Sequence, residues 1–174
     1  MLMFGLETAS EPMIEHMVKG TRAEDMSRIL RESAEAGIWN HTFFFFGFPG
    51  ETIDHAQETV NFLYAHQQWI HSASPGTFVL ERYSPAHLDL KHYGVKKIID
   101  NPERDLAIYF DYQVASGMDE TMAELLVSHL LDSLPIKRFG QYYMHDTFKL
   151  LYSSYLHDQG KPLPLWLIPE QDGT

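Results

Sequence analysis

The stretch 41-HTFFFFGFPGET-52 decides how the chain is read. Phe43, Phe44, Phe45 and Phe46 leave no polar alternation, so both faces of this segment have to be covered. Strands of that kind belong to parallel sheets packed under helices, not to antiparallel sheets with one wet face. The Gly47-Phe48-Pro49-Gly50-Glu51 that follows is a tight exit, and Thr52 stands where a helix N-cap belongs. Two readings of the exit stay open. Any strand-to-helix turn needs Gly, Pro and a cap, yet ligands of parallel α/β sheets bind beyond the carboxyl ends of the strands.

Working outward, residues 2–6 (LMFGL) form a short apolar strand. Thr21-Arg-Ala-Glu24 reads as a capping box opening a helix with Met26, Ile29, Leu30 and Ala34 on one stripe, closed at Gly37. Beyond Thr52 a second helix puts Ala56, Val60 and Leu63 in register. Pro75-Gly76 reads as a break, and 77-TFVLERY-83 as a third strand. Strands alternating with helices of about 10–15 residues predict βαβ units. The first 85 residues are therefore α/β, with about three parallel strands.

From residue 86 the pattern changes. Segment 86–101 is mixed, Pro102 opens a short helix, and Asp119 caps a helix through Leu134 with Met122, Leu126 and Leu130 along one side. A last helix carries Met144, Phe148, Leu151 and Tyr155 on a stripe. The tail 161-KPLPLWLIPEQDGT-174 is Pro-rich and extended. Residues 86–174 are thus expected to form a mainly helical C-terminal region.

Composition narrows the function classes. The chain has 174 residues, 44% of them hydrophobic, which argues against disorder. Its formal charge is −11, from 24 acidic against 13 basic residues, which disfavours nucleic acid and anionic membrane surfaces as partners. It contains no cysteine, so it has neither a disulfide nor a thiolate to hold zinc or an iron–sulfur cluster. No run nears the ~20 apolar residues of a membrane span, and the first residues lack a signal-peptide pattern, so a cytoplasmic location is expected. The sequence shows no HExxH, GxSxG, GxGxxG or Walker pattern. Ten histidines are scattered without metal-ligand spacing, and no metal site is expected.

Three strand ends remain as candidate sites: 7-ETAS-10, 47-GFPGE-51 and 81-ERYS-84. Glu7 beside Thr8 and Ser10 is either a helix cap or a ligand contact. Lys19 is either a solvated cation at a helix end or part of a site.

The ordered set GLETASEPMIEHMVKGT, EAGI, FFFFGFPGET and LERYSP resembles the second half of the radical S-adenosylmethionine domain. The likeness is strongest to members with an upstream cobalamin-binding domain, and it covers about residues 2–85. It implies half of a partial TIM-type (β/α)6 barrel at 1–85 and a substrate-choosing extension at 86–174. It also implies a role for each matched position. Glu7, Thr8 and Ser10 would face the ribose or amino group of S-adenosylmethionine, and Lys19 its carboxylate. Phe46, Gly47, Phe48 and Pro49 would line the adenine side, which Arg82 and Tyr83 complete. The family's 4Fe–4S cluster is held by a CxxxCxxC loop that this chain lacks. The cluster is therefore expected from a missing N-terminal half, with cobalamin a further cofactor of that subgroup. An opening strand without a lead-in fits a fragment whose open sheet edge pairs with that missing half or with another copy. The alternative is a non-catalytic α/β binding module that kept the fold without the cluster; an unrelated α/β enzyme using histidine or carboxylate chemistry is a third.

Overall fold

The computed structural model describes residues 1–99, 107–133 and 146–161. Its first sheet is built from β1 (Leu2–Glu7), β2 (Asn40–Phe46) and β3 (Ser72–Thr77), all parallel in the order β1-β2-β3. The phenylalanine strand is central, as its lack of alternation demands. Phe44 and Phe46 are buried in one core with Leu6, Met26, Leu30, Ala56, Leu63, Ala123 and Leu130. That core lies under α2 (Ala23–Glu35), α3 (Ile53–Ala65) and α5 (Glu120–Ser133). Alternation along the strand puts His41, Phe43 and Phe45 on the opposite face. There the ring of Phe43 meets His41 edge-on at 4.8 Å.

Asn40, at the start of β2, is fully buried on the helical face, where a polar side chain is costly unless satisfied. It is satisfied: its amide donates to the carbonyls of Leu30 (2.8 Å) and Trp69 (2.9 Å) and accepts from Ser33 Oγ (2.8 Å). This ties the entry to β2 to α2 and to the loop before β3.

Several boundaries differ from the sequence expectation. The third parallel strand is Ser72–Thr77, so Pro75-Gly76 lies inside it. The strand is at the sheet edge, and there a proline's missing N–H costs no ladder bond when it faces outward. Of the expected 77–83 strand, Thr77 ends β3 and Leu80–Glu81 is β in a second sheet. The Thr21–Glu24 capping box does not form. The N-cap position of α2 is Arg22, and the Glu11 carboxylate takes the Ala23 amide instead, at 3.0 Å. Thr52 does cap α3, in a reciprocal box with His55 whose two bonds are 3.3 Å. Asp119 also caps as expected, accepting the Met122 amide at 2.9 Å.

The region after residue 85 is helical only in part. α4 (Pro85–Leu88), α5 and α6 (Asp146–Asp158) are accompanied by β5 (Val95–Ile99) and β6 (Tyr109–Val114). With β4 (Leu80–Glu81) these strands make an antiparallel sheet in the order β4-β6-β5. β6 alternates exposed and half-buried residues over YFDYQV, a period-2 signal that the tyrosines and Asp111 obscure in sequence. The stripe expected on α6 is mis-phased. Phe148, Leu151 and Tyr155 are exposed, whereas Lys149 and Leu156 are buried and Tyr152 meets Trp39 edge-on. A one-residue offset in phase turns a helix by ~100°. The helix expected at Pro102, the end of α5 at Leu134 and Pro135, Met144 and the tail 162–174 lie outside the described residues. α1 (Glu11–His16) is a short helix after β1. Among the described residues no helix is long and apolar enough to cross a membrane.

Candidate functional site

Beyond the carboxyl ends of the parallel strands lies a cleft of about 410 Å³, lined by Met17, Lys19, Phe45, Phe48, Thr77, Phe78, Glu81 and Tyr93 among others. Several parts of the chain build it. Lys19 arrives from the loop after α1, Phe48 from the β2–α3 turn and Phe78 from the end of β3. Tyr93 reaches in from the loop between α4 and β5. The walls are aromatic: Phe48 meets Phe78 edge-on at 4.9 Å and Tyr93 at 6.0 Å, and Phe45 lies 6.2 Å from Phe78. Small-molecule sites share this composition, an apolar cleft with few placed polar groups.

Lys19, which lines the cleft, donates through Nζ to Glu7 Oε1 at 2.9 Å. Both ends of this ion pair sit on unusual backbone. Glu7 has φ +59° and Val18, just before Lys19, has φ +57°. Val18 is the C′ residue that ends α1: its amide donates to the Glu15 carbonyl at 3.0 Å and the Lys19 amide to the Ile14 carbonyl at 3.2 Å, a Schellman turn that takes a left-handed residue at this place. The ion pair joins residues twelve apart in the chain.

The other sequence-selected residues divide between the cleft and its supports. Phe48 is in the cleft wall with Lys19. Thr8 and Ser10 are buried beside α3: Thr8 Oγ1 shares a hydrogen bond with Thr59 Oγ1 at 3.0 Å, and the Ala9 amide donates to the same oxygen. Phe46 is fully buried in the helical core. Pro49 packs near Gly94, behind the wall. Arg82 donates through Nε to the Ala107 carbonyl at 2.8 Å and lies over the Phe110 ring, so it holds the second sheet together. Tyr83 is exposed, with φ +67°. Gly47 has φ +83°, and a Cβ there would meet Ala123 Cβ at 2.6 Å, so glycine is required for α5 to pack on the turn.

The sequence reading placed Glu51 in the candidate 47–51 turn but gave it no role of its own. Its side chain is fully buried at the end of the GFPGE turn, where Oε2 accepts the Gly47 amide at 2.6 Å. Oε1 has no hydrogen-bond partner among the described residues. Burial raises this carboxyl from 4.5 to about 7, against the opposing pull of the Gly47 and Phe48 amides. The signal was present as an acid closing a Gly-Pro-Gly turn, but a turn acid is usually solvated, and burial cannot be read locally. Phe78 and Tyr93 gave no local signal, because they reach the cleft from distant segments.

The segment before α5 closes over this turn. The Gly50 amide donates to the Ser116 carbonyl at 3.1 Å, and the Met118 amide to the Glu51 carbonyl at 2.7 Å. Gly117 has φ +85°, and a Cβ there would lie 2.5 Å from the Glu51 carbonyl oxygen and 2.7 Å from Gly50 C. Gly117→Ala is expected to lower stability by about 2–4 kcal/mol through strain and clash together. Urea unfolding of the two proteins checks this, and an unchanged midpoint would contradict the close approach.

Among the described residues no group of three or more His, Asp or Glu side chains could hold a metal ion. Comparison of the chain with protein-family models, curated proteins and solved structures finds no significant match.

Proposed function

We propose that the chain is the S-adenosylmethionine-binding part of a radical S-adenosylmethionine enzyme, its parallel sheet forming part of a (β/α) barrel. The observation that carries this reading is an aromatic cleft beyond the parallel strand ends, lined by Lys19, which is paired with Glu7. The ligand's methionine end is a zwitterion. Lys19 suits its carboxylate and Glu7 its ammonium, so binding replaces one ion pair by two. The apolar walls suit the adenine and the sulfonium, since a cation over an aromatic face is attracted by the ring quadrupole. The cleft volume lies within the usual ~300–1,000 Å³ of small-molecule sites.

Within this proposal the chain's own residues bind and orient. Lys19 and Glu7 fix the amino-acid end, Phe48 and Phe78 exclude water, and the β2–α3 turn sets where Phe48 stands. Bound there, S-adenosylmethionine supplies an activated sulfonium for cleavage. An iron–sulfur cluster does not fit these residues, because the chain has no cysteine and its described part no metal-binding group. The thiolates would have to come from outside the 174 residues. The same lack of cysteine favours a second reading, a non-catalytic module that binds in the same cleft without radical chemistry.

Isothermal titration of S-adenosylmethionine tests the binding site. Lys19→Ala and Phe48→Ala are each expected to weaken binding by about 10-fold or more, as loss of a charged hydrogen bond or a buried ring does. Equal heats for all three proteins would overturn the assignment. Cleavage of S-adenosylmethionine after mixing with a cysteine-bearing, cluster-loaded N-terminal half separates the enzymatic reading from the binding module.

A further inference from the structure

We propose that Glu51 is a proton-operated latch for the cleft wall: neutral, it holds the β2–α3 turn against residues 115–118, and ionised, it loosens that contact and Phe48 with it. The inference concerns the cleft itself and does not depend on which ligand occupies it.

Three observations point this way. The carboxyl is fully buried, with Oε2 on the Gly47 amide and Oε1 without a partner among the described residues. A neutral carboxyl tolerates that position, whereas a bare anionic oxygen does not, because nothing replaces its lost hydration. Second, the turn is docked by the Gly50–Ser116 and Met118–Glu51 backbone bonds and by the flush approach of Gly117. Water reaches the carboxylate most directly if that docking parts. Third, Phe48 belongs to the same turn, and its ring packs on Phe78 and Tyr93 across the cleft. The carboxyl and the wall therefore move as one short unit.

The titratable groups on the elements packed around Glu51 are few. Residues 115–118 contribute none, and the start of α5 contributes Asp119 and Glu120. α1 contributes His16, with Nε2 3.7 Å from where a Gly50 Cβ would stand. The first turn of α3 contributes Asp54 and His55, the latter engaged in the Thr52 cap. No lysine or arginine stands in these segments to neutralise a carboxylate. With the carboxyl raised to about 7, the change falls near neutrality.

Amide hydrogen exchange on the full chain at about pH 6 and about pH 8, corrected for intrinsic rates, is the test. Exchange at Gly47 and Met118 is expected to rise about tenfold beyond the intrinsic change, through a local opening of lower free energy than the global unfolding that exposes the α2 amides. Glu51→Gln is expected to abolish the rise, and the Phe48 ring signals to titrate with the same midpoint as the Glu51 carboxyl carbon. Flat exchange at Gly47, turn amides as strongly protected as those of α2, or a Phe48 signal that does not titrate would each overturn the proposal. The wild-type comparison between the turn and α2 decides the matter even where the Gln variant fails to fold.

Discussion

Phe46→Ala is expected to destabilise the protein by about 3–5 kcal/mol, the usual cost of emptying a fully buried phenylalanine site. Phe46 has no exposed surface and packs with Phe44 at a ring separation of 5.8 Å, in the core shared by all three long helices of that face. Its neighbour Phe45 points the other way, half-buried in the cleft wall. Phe45→Ala is therefore expected to cost clearly less stability and to act on ligand binding instead. A typical domain has only about 5–15 kcal/mol in hand, so the Phe46 variant would lose a large share of it. Denaturant unfolding with an unchanged m-value reads the difference. Equal losses for the two variants would show that the strand does not present its phenylalanines to two different environments.

Stability is expected to fall by about 3 kcal/mol as pH rises from 4.5 to about 7, on account of Glu51 alone. The sign follows from proton binding. The folded carboxyl holds its proton to a higher pH than the unfolded one, so between the two values the native state binds more protons. Its contribution is complete below 4.5 and is lost as pH passes through about 7. Above that, both states are ionised, and the folded protein carries a buried anion that only the Gly47 and Phe48 amides help. Glu51→Gln keeps a carbonyl for the Gly47 amide and removes the titration. The difference in stability between wild type and variant, plotted against pH, isolates this group from every other carboxylate. A difference that stays constant across the window would refute the buried, proton-holding state of Glu51.

The parallel sheet was legible in the sequence because Phe43–Phe46 is a central strand. A strand covered on both faces loses its alternation, and that loss survives in the bare residue order. Thr52 and Asp119 were legible for a similar reason: a cap is a local bond between residues three apart. Thr21 failed as a cap because Glu11, twelve residues before Ala23, reached its amide instead. β3 was misplaced because Pro75 looks like a break unless the strand is known to be an edge. The stripe on α6 was read one residue out of phase, since Lys149 is buried where Phe148 looked the better core residue.

The candidate site divides along the same line. Glu7 and Phe48 could be picked out from their places after strands and Lys19 through the family resemblance, but Phe78, Tyr93 and the buried state of Glu51 could not. By itself the sequence determined the periodicity of β2, α2 and α3, the caps at Thr52 and Asp119 and the sign of the net charge. These depend on residues a few positions apart. The tertiary structure decided which strand lies at an edge, which side of a helix is buried, and that residues 115–118 seal the GFPGE turn over a carboxyl. Those outcomes depend on contacts between segments distant in the chain, and burial, which sets both the Phe46 core and the Glu51 proton, exists only once those contacts are made.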